Sequence, residues 1–180
     1  RLGPVTMLST KGAQALAFAP VQSLQADGTF PGTKTDLAVV DGTLRLASAE
    51  DANGMPSVVQ AEGLYEFGVG MDFGAVRRVR LRSEIRLGVL SLADSIDARL
   101  ASIDTWASFD GTDGAEADVV VEIRETDDDP AASPVWTAWG RIDNHEIEAR
   151  AIEARAWLRT ADSAYTPVVS RLRLHADEVA

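Results

Sequence analysis

Val76-Arg77-Arg78-Val79-Arg80-Leu81-Arg82-Ser83-Glu84-Ile85-Arg86-Leu87 decides the fold class of this chain. In an extended chain successive side chains point to opposite sides. Val79, Leu81, Ser83, Ile85 and Leu87 therefore fall on one face, and Arg78, Arg80, Arg82, Glu84 and Arg86 on the other. A period of two with Arg outward describes a strand that is buried on one side and wet on the other. The same alternation recurs where Val119, Val121 and Ile123 alternate with Val120, Glu122 and Arg124, and where Leu172, Leu174 and Ala176 alternate with Arg171, Arg173 and His175. One-sided burial of this kind belongs to antiparallel sheets.

Outward from these strands the chain is punctuated by turns. Val39-Val40-Asp41-Gly42-Thr43-Leu44-Arg45-Leu46 sets Asp-Gly between two β-prone runs and predicts a hairpin. Leu64, Tyr65 and Phe67 begin a strand, and Gly70-Met71-Asp72-Phe73-Gly74 reads as a turn-like entry to the long one. With no βαβ alternation, the pattern predicts an all-β antiparallel sandwich or jelly roll. Two segments admit a helix. Over Leu92 to Ala107, Leu92, Ile96, Leu100 and Ile103 stand at helical spacing, so a short helix in that connection stays open. Over Glu146 to Arg159, propensity favours helix, while Ile152, Ala154, Ala156 and Leu158 fit a strand face equally well.

Composition is ordinary for a globular chain, with 46% apolar and 25% charged residues in 180. That length predicts one domain whose core needs no staples, and the absence of Cys excludes disulfides, thiolate metal sites and a Cys nucleophile. Residues 1–24, with Pro4, Pro20 and no sustained period, read as an arm or linker, leaving 25–177 as the sandwich domain. A chain beginning with Arg1 is expected to be a processed form or a piece of something longer. Apolar runs such as Leu16 to Phe18 and Val119 to Val121 fall far short of a membrane span, so no membrane insertion is expected. The net charge of -11 repels phosphate backbones and anionic head groups, so nucleic acid is not an expected partner.

The ordered features from Leu64 to Leu174 carry a resemblance. They run Tyr65-Glu66-Phe67, then Met71-Asp72-Phe73-Gly74-Ala75-Val76, then an acidic loop with Ile103-Asp104-Thr105-Trp106 and Phe109-Asp110-Gly111. Val121-Glu122-Ile123-Arg124-Glu125-Thr126-Asp127-Asp128-Asp129-Pro130, Trp136-Thr137-Ala138-Trp139, Ala149-Arg150-Ala151 and Thr166-Pro167-Val168-Val169-Ser170-Arg171-Leu172 follow. This set resembles the C-terminal region of tip attachment (host-specificity) proteins and related tail-fibre proteins of long-tailed bacteriophages. The resemblance implies a β-sandwich of the galactose-binding, discoidin-like kind in which the segment after Ala149-Arg150-Ala151 is a core strand. It implies a virion location at a tail tip or fibre, assembly as a homotrimer with other phage tail proteins, and attachment to a bacterial surface polysaccharide or outer-membrane receptor. A purely architectural tail domain without receptor contact is the alternative.

The residues themselves point away from catalysis. Only His145 and His175 are present, neither G-x-S-x-G nor H-E-x-x-H occurs, and the paired carboxylates Asp104 with Asp110 and Asp127 to Asp129 read as solvated loops. Asp110-Gly111-Thr112-Asp113-Gly114 offers oxygen ligands to a hard cation but not the spacing of an EF-hand loop, and no metal or cofactor is assigned. Trp106, beside Asp104 and Asp110, is the candidate glycan contact, since an exposed indole with flanking carboxylates can stack on a sugar and bond its hydroxyls. A Trp pinning a long loop onto the sandwich is the competing reading. Trp136 and Trp139, three apart in an extended segment, are expected on opposite faces, one in the core and one at the rim. Trp157 is expected on the outward side of its strand with Glu153 and Arg155, and Trp157 with Arg155 forms the candidate subunit interface.

Overall fold

A computed structural model of the chain describes residues 22–50, 56–92, 117–142 and 146–179. Every regular element among them is a strand. In chain order they are β1 (Gln22–Asp27), β2 (Thr33–Thr35), β3 (Leu37–Val40), β4 (Thr43–Leu46), β5 (Ser48–Glu50), β6 (Pro56–Val59), β7 (Glu62–Glu66), β8 (Met71–Ser91), β9 (Ala117–Thr126), β10 (Gly140–Arg141), β11 (Glu146–Thr160) and β12 (Tyr165–Glu178). Ten join one antiparallel sheet whose main path runs β10-β9-β11-β8-β12-β4-β3, with β1 on β12 and β2 on β7, itself paired to β11; β5 and β6 form a separate ribbon.

The sheet folds on itself because β8 belongs to both layers. Its residues 71–80 pair with β11, and its residues 79–91 pair with β12. At the first of these ladders five steps along β8, from Asp72 to Arg77, match only two along β11, and Gly74 inside that stretch has φ +78. Such a bulge swings a strand from one layer into another, and its positive φ carries no steric cost in glycine. The turn-like reading of Gly70 to Gly74 is corrected: from Met71 onward the segment is already strand, irregular at Gly74. Inside the fold, one apolar cluster gathers Leu24 and Ala26 of β1, Leu44 and Leu46 of β4, Tyr65, Ile123, Ile152, Ala154, Ala156, Leu158, Leu172 and Leu174. The all-β sandwich is the fold observed, its two faces being arms of one nearly closed sheet.

Several expectations can be placed against this framework. The Asp41-Gly42 hairpin is present, joining β3 to β4 with both turn residues at positive φ. Glu146 to Thr160 is strand, against its helix propensity, because Ile152, Ala154, Ala156 and Leu158 fill the core while β8 with β7 and β9 satisfy its backbone on both sides. β1 begins at Gln22 with Leu24 buried, so the sheet reaches into the stretch read as an arm; the rest of that arm lies outside the described residues. The open helix over Leu92 to Ala107 lies outside them after Leu92.

β8 keeps its two faces only in part. Val79 and Leu81 are buried as the alternation demands, but Leu87 and Val89 remain exposed. Their partners on β12, Val169 opposite Leu87 and Pro167 opposite Val89, are buried, and β4 pairs with β12 at Val169. Tyr65 is fully buried, edge-on to Phe30 at 6.0 Å and Phe67 at 5.3 Å. The Gly32 N–H donates to its hydroxyl at 3.0 Å, and burial pushes the phenol pKa up. A Cβ on Gly32 would overlap the Glu66 carbonyl and the Tyr65 ring, so the chain after Phe30 can cross β7 only as glycine.

Candidate functional site

The outer face of β9 and β11 is built by their register. Arg124 stands opposite Glu153, and Glu122 opposite Arg155, so an acid-base order read in one direction meets its complement in the other. Arg124 Nε donates to Glu153 Oε2 at 2.7 Å. Glu122 Oε2 accepts from Arg155 Nε at 2.8 Å and from the Trp157 indole Nε1 at 3.1 Å.

Trp136 and Trp139 join the same face, which corrects the expectation that they diverge. Thr137 N–H donates to the Glu125 carbonyl at 2.9 Å, whereas Gly140 stands opposite Ile123. Three steps along one strand therefore span two along the other, and this extra residue resets the alternation between the two indoles. Both rings meet one guanidinium: Arg124 Cζ lies 5.1 Å from the Trp136 centroid and 4.8 Å from that of Trp139. Arg155 lies 4.3 Å from Trp139 and 5.6 Å from Trp157, and Arg159 lies 5.5 Å from Trp157. These are cation–π distances, and each indole is half-buried.

Two shallow clefts open on this face and share Glu153. One, of about 190 Å³, is lined by Trp139, Glu66, Thr33, Gly68, Val69 and Glu153. The other, of about 180 Å³, is lined by Trp136, Pro130, Pro134, Asp72, Gly70 and Glu153 among others. The Asp127 to Asp129 run is the loop expected, with Asp127 and Asp128 exposed, and its carboxylates tie down the chain that leads to Trp136. Asp128 Oδ2 accepts the Val135 N–H at 2.9 Å, Asp129 Oδ1 accepts the Ala131 N–H at 3.0 Å, and Arg150 pairs with Asp129 at 2.8 Å. The Ala131 N–H bond, reinforced by Arg150, holds the Asp129 carboxyl below its usual range.

Trp157 and Arg155, the candidate interface pair, stand on the outward face of β11 as expected, fixed to each other through Glu122. Trp106, Asp104 and Asp110 lie outside the described residues, as do His145 and the acidic stretch from Asp110 to Gly114. His175 lies on the opposite outer face, buried, with Glu84 Oε2 3.7 Å from its Nε2 and Arg82 across the β8 ladder. The Arg77 to Arg86 cluster is largely paired: Arg77 with Glu178 at 3.1 Å, Arg78 and Arg80 with Glu146 at 2.6 and 2.7 Å, and Arg82 with Asp177 at 3.0 Å. Bonds from Arg80, with Arg78 beside it, hold the Glu146 carboxyl low. Among the described residues no group of three or more acidic or His side chains is placed to hold a metal ion, and no helix is long and apolar enough to cross a membrane.

Arg124, Glu122 and Glu153 escape a reading of the strands one at a time. The available signal is the pairing of Glu122-Ile123-Arg124 with Glu153-Ala154-Arg155, which becomes complementary only when the two are laid antiparallel. What these elements define is a class: an all-β module carrying an ion-paired aromatic face. No family model matches the chain, and no curated protein or solved structure matches it either.

Proposed function

We propose that this chain is a non-catalytic structural module of a phage tail tip or tail fibre that takes part in attachment to a bacterial surface receptor or polysaccharide. The resemblance from Leu64 to Leu174 supplies the biological setting, and the antiparallel sandwich suits it. The observation that carries the reading is the placement of three of the four tryptophans on one outer face, half-buried and fixed by guanidinium groups. Trp and Arg dominate binding surfaces because both cover apolar area and make directed polar contacts with little loss of freedom.

The alternative, an assembly domain of a tail hub or fibre, is favoured by Trp157. With Arg155 and Arg159 beside it, this indole stands at the far end of the row from the clefts and suits contact with a neighbouring subunit, a homotrimer being the expected assembly. The test is binding of the 180-residue chain to immobilised bacterial surface polysaccharides together with its mass in sedimentation. Binding that survives Trp157→Ala supports attachment. Trimers that dissociate in Trp157→Ala, with no polysaccharide retained by either form, support the architectural role. A monomer that retains no surface component overturns both.

A further inference from the structure

We propose that the clefts at Trp139 and Trp136 form one groove that holds two adjacent uncharged sugar rings. The inference rests on the attachment reading above and supplies its ligand class. Each cleft alone is small, but the two meet at Glu153 and together reach the roughly 300 Å³ at which small-molecule sites begin. An indole lines each half, and the C–H face of a pyranose packs on such a ring. Glu153, between them, is held by Arg124, which also rests on both indoles. Carboxylate and guanidinium are thus fixed before a ligand arrives, and sugar hydroxyls can bond to them without ordering them first.

The backbone keeps the groove unfilled. Gly68 and Gly70 line it without side chains, Gly68 at φ +74. A Cβ on Gly70 would lie 2.6 Å from the Ile152 carbonyl, so this turn sits directly on β11. Charge sets the sugar class. Glu66, Glu153 and Asp72 line the groove, Glu153 already paired with Arg124 and Asp72 with Arg150 at 3.5 Å; none of the lining residues is Arg or Lys, and the whole chain carries -11. Uronates, sialic acids and phosphorylated sugars are repelled, whereas neutral hexoses and N-acetylhexosamines are not.

Four tryptophans give four indole N–H signals, which Trp→Phe variants assign one by one. The ¹⁵N-labelled full chain is titrated with maltose, cellobiose and chitobiose, and with a uronate-containing disaccharide of similar size. Saturable shifts at Trp136 and Trp139 with at least one neutral probe, and a still Trp157 signal, are the expected result. Trp136→Ala should weaken that binding about ten-fold, and the uronate probe should bind about ten-fold more weakly than its neutral counterpart. Unmoved Trp136 and Trp139 signals overturn the proposal, as does equal binding of the charged probe. A shift confined to Trp106 overturns the groove but leaves attachment standing. Shifts in the groove by a chain that retains no bacterial polysaccharide leave the groove standing and remove its attachment role.

Discussion

Two outer faces of this sheet carry the same sequence pattern, alternating Arg with acidic residues nearby, and become different surfaces. On the face formed by β1, β12 and the second half of β8, Arg173 bonds Asp27 and Arg171 bonds Glu84, while His175 sits buried among them. Here the guanidinium groups meet carboxylates. The Arg171 bond holds the Glu84 carboxyl below its ordinary range, and the Asp27 bond raises Arg173. On the face of β9 and β11 the guanidinium groups meet carboxylates edge-on and indoles besides. Arg is one of few side chains able to do both at once, since its plane stacks while its rim donates. The neighbouring strand therefore decides whether an Arg row closes into a salt lattice or props up an aromatic face.

The sharpest way to break this contrast is to remove a ring. Trp139→Ala takes away the indole touched by both Arg124 and Arg155, and stability in urea should fall by about 2–3 kcal/mol, less than for a fully buried Trp. Arg171→Ala on the salt lattice should cost less. Equal losses would mean the aromatic face adds nothing to the ion pairs.

A conservative swap comes next. Arg155→Lys keeps the charge but loses the fork to Glu122 and the stack on Trp139, and should cost about 1 kcal/mol. Arg86→Lys, on the exposed outer side of β8, should be nearly silent, and differential denaturation of the pair measures the difference.

Acid sharpens the comparison from the other side. Glu84 and Glu146 titrate lower in the folded chain than unfolded, so the stability they contribute is present above the ordinary carboxylate pKa and lost as pH falls through their folded values. Urea midpoints should drop across that window, and Glu84→Gln should flatten the drop. Tyr65 acts at the opposite end: its raised pKa means that only the unfolded chain ionises just above the usual phenol value, so stability falls as pH rises there. Smallest of all, Arg77→Ala removes an exposed pair with Glu178 and should change stability by no more than about 0.5 kcal/mol, a difference that vanishes in 1 M salt.

The period of two at Val79 to Leu87, at Val119 to Arg124 and at Arg171 to Ala176 was enough to determine extended strands, because alternation is a local property of extended chain, but along β8 it marked a buried side at Val79 and Leu81 and not at Leu87. The Asp-Gly hairpin was equally legible, its turn being set by the φ that those two residues tolerate. The fate of Glu146 to Thr160 was not, since Glu, Ala and Arg prefer helix and only partners on both edges outweigh that preference. Nor was the aromatic face. Trp136 and Trp139 share a side only because one extra residue enters the ladder between them, and Arg124 finds Glu153 only in one antiparallel register. Pattern determined which side chains alternate along a strand; pairing between strands distant in the chain decided what they face, because register is fixed by the whole sheet closing over its core.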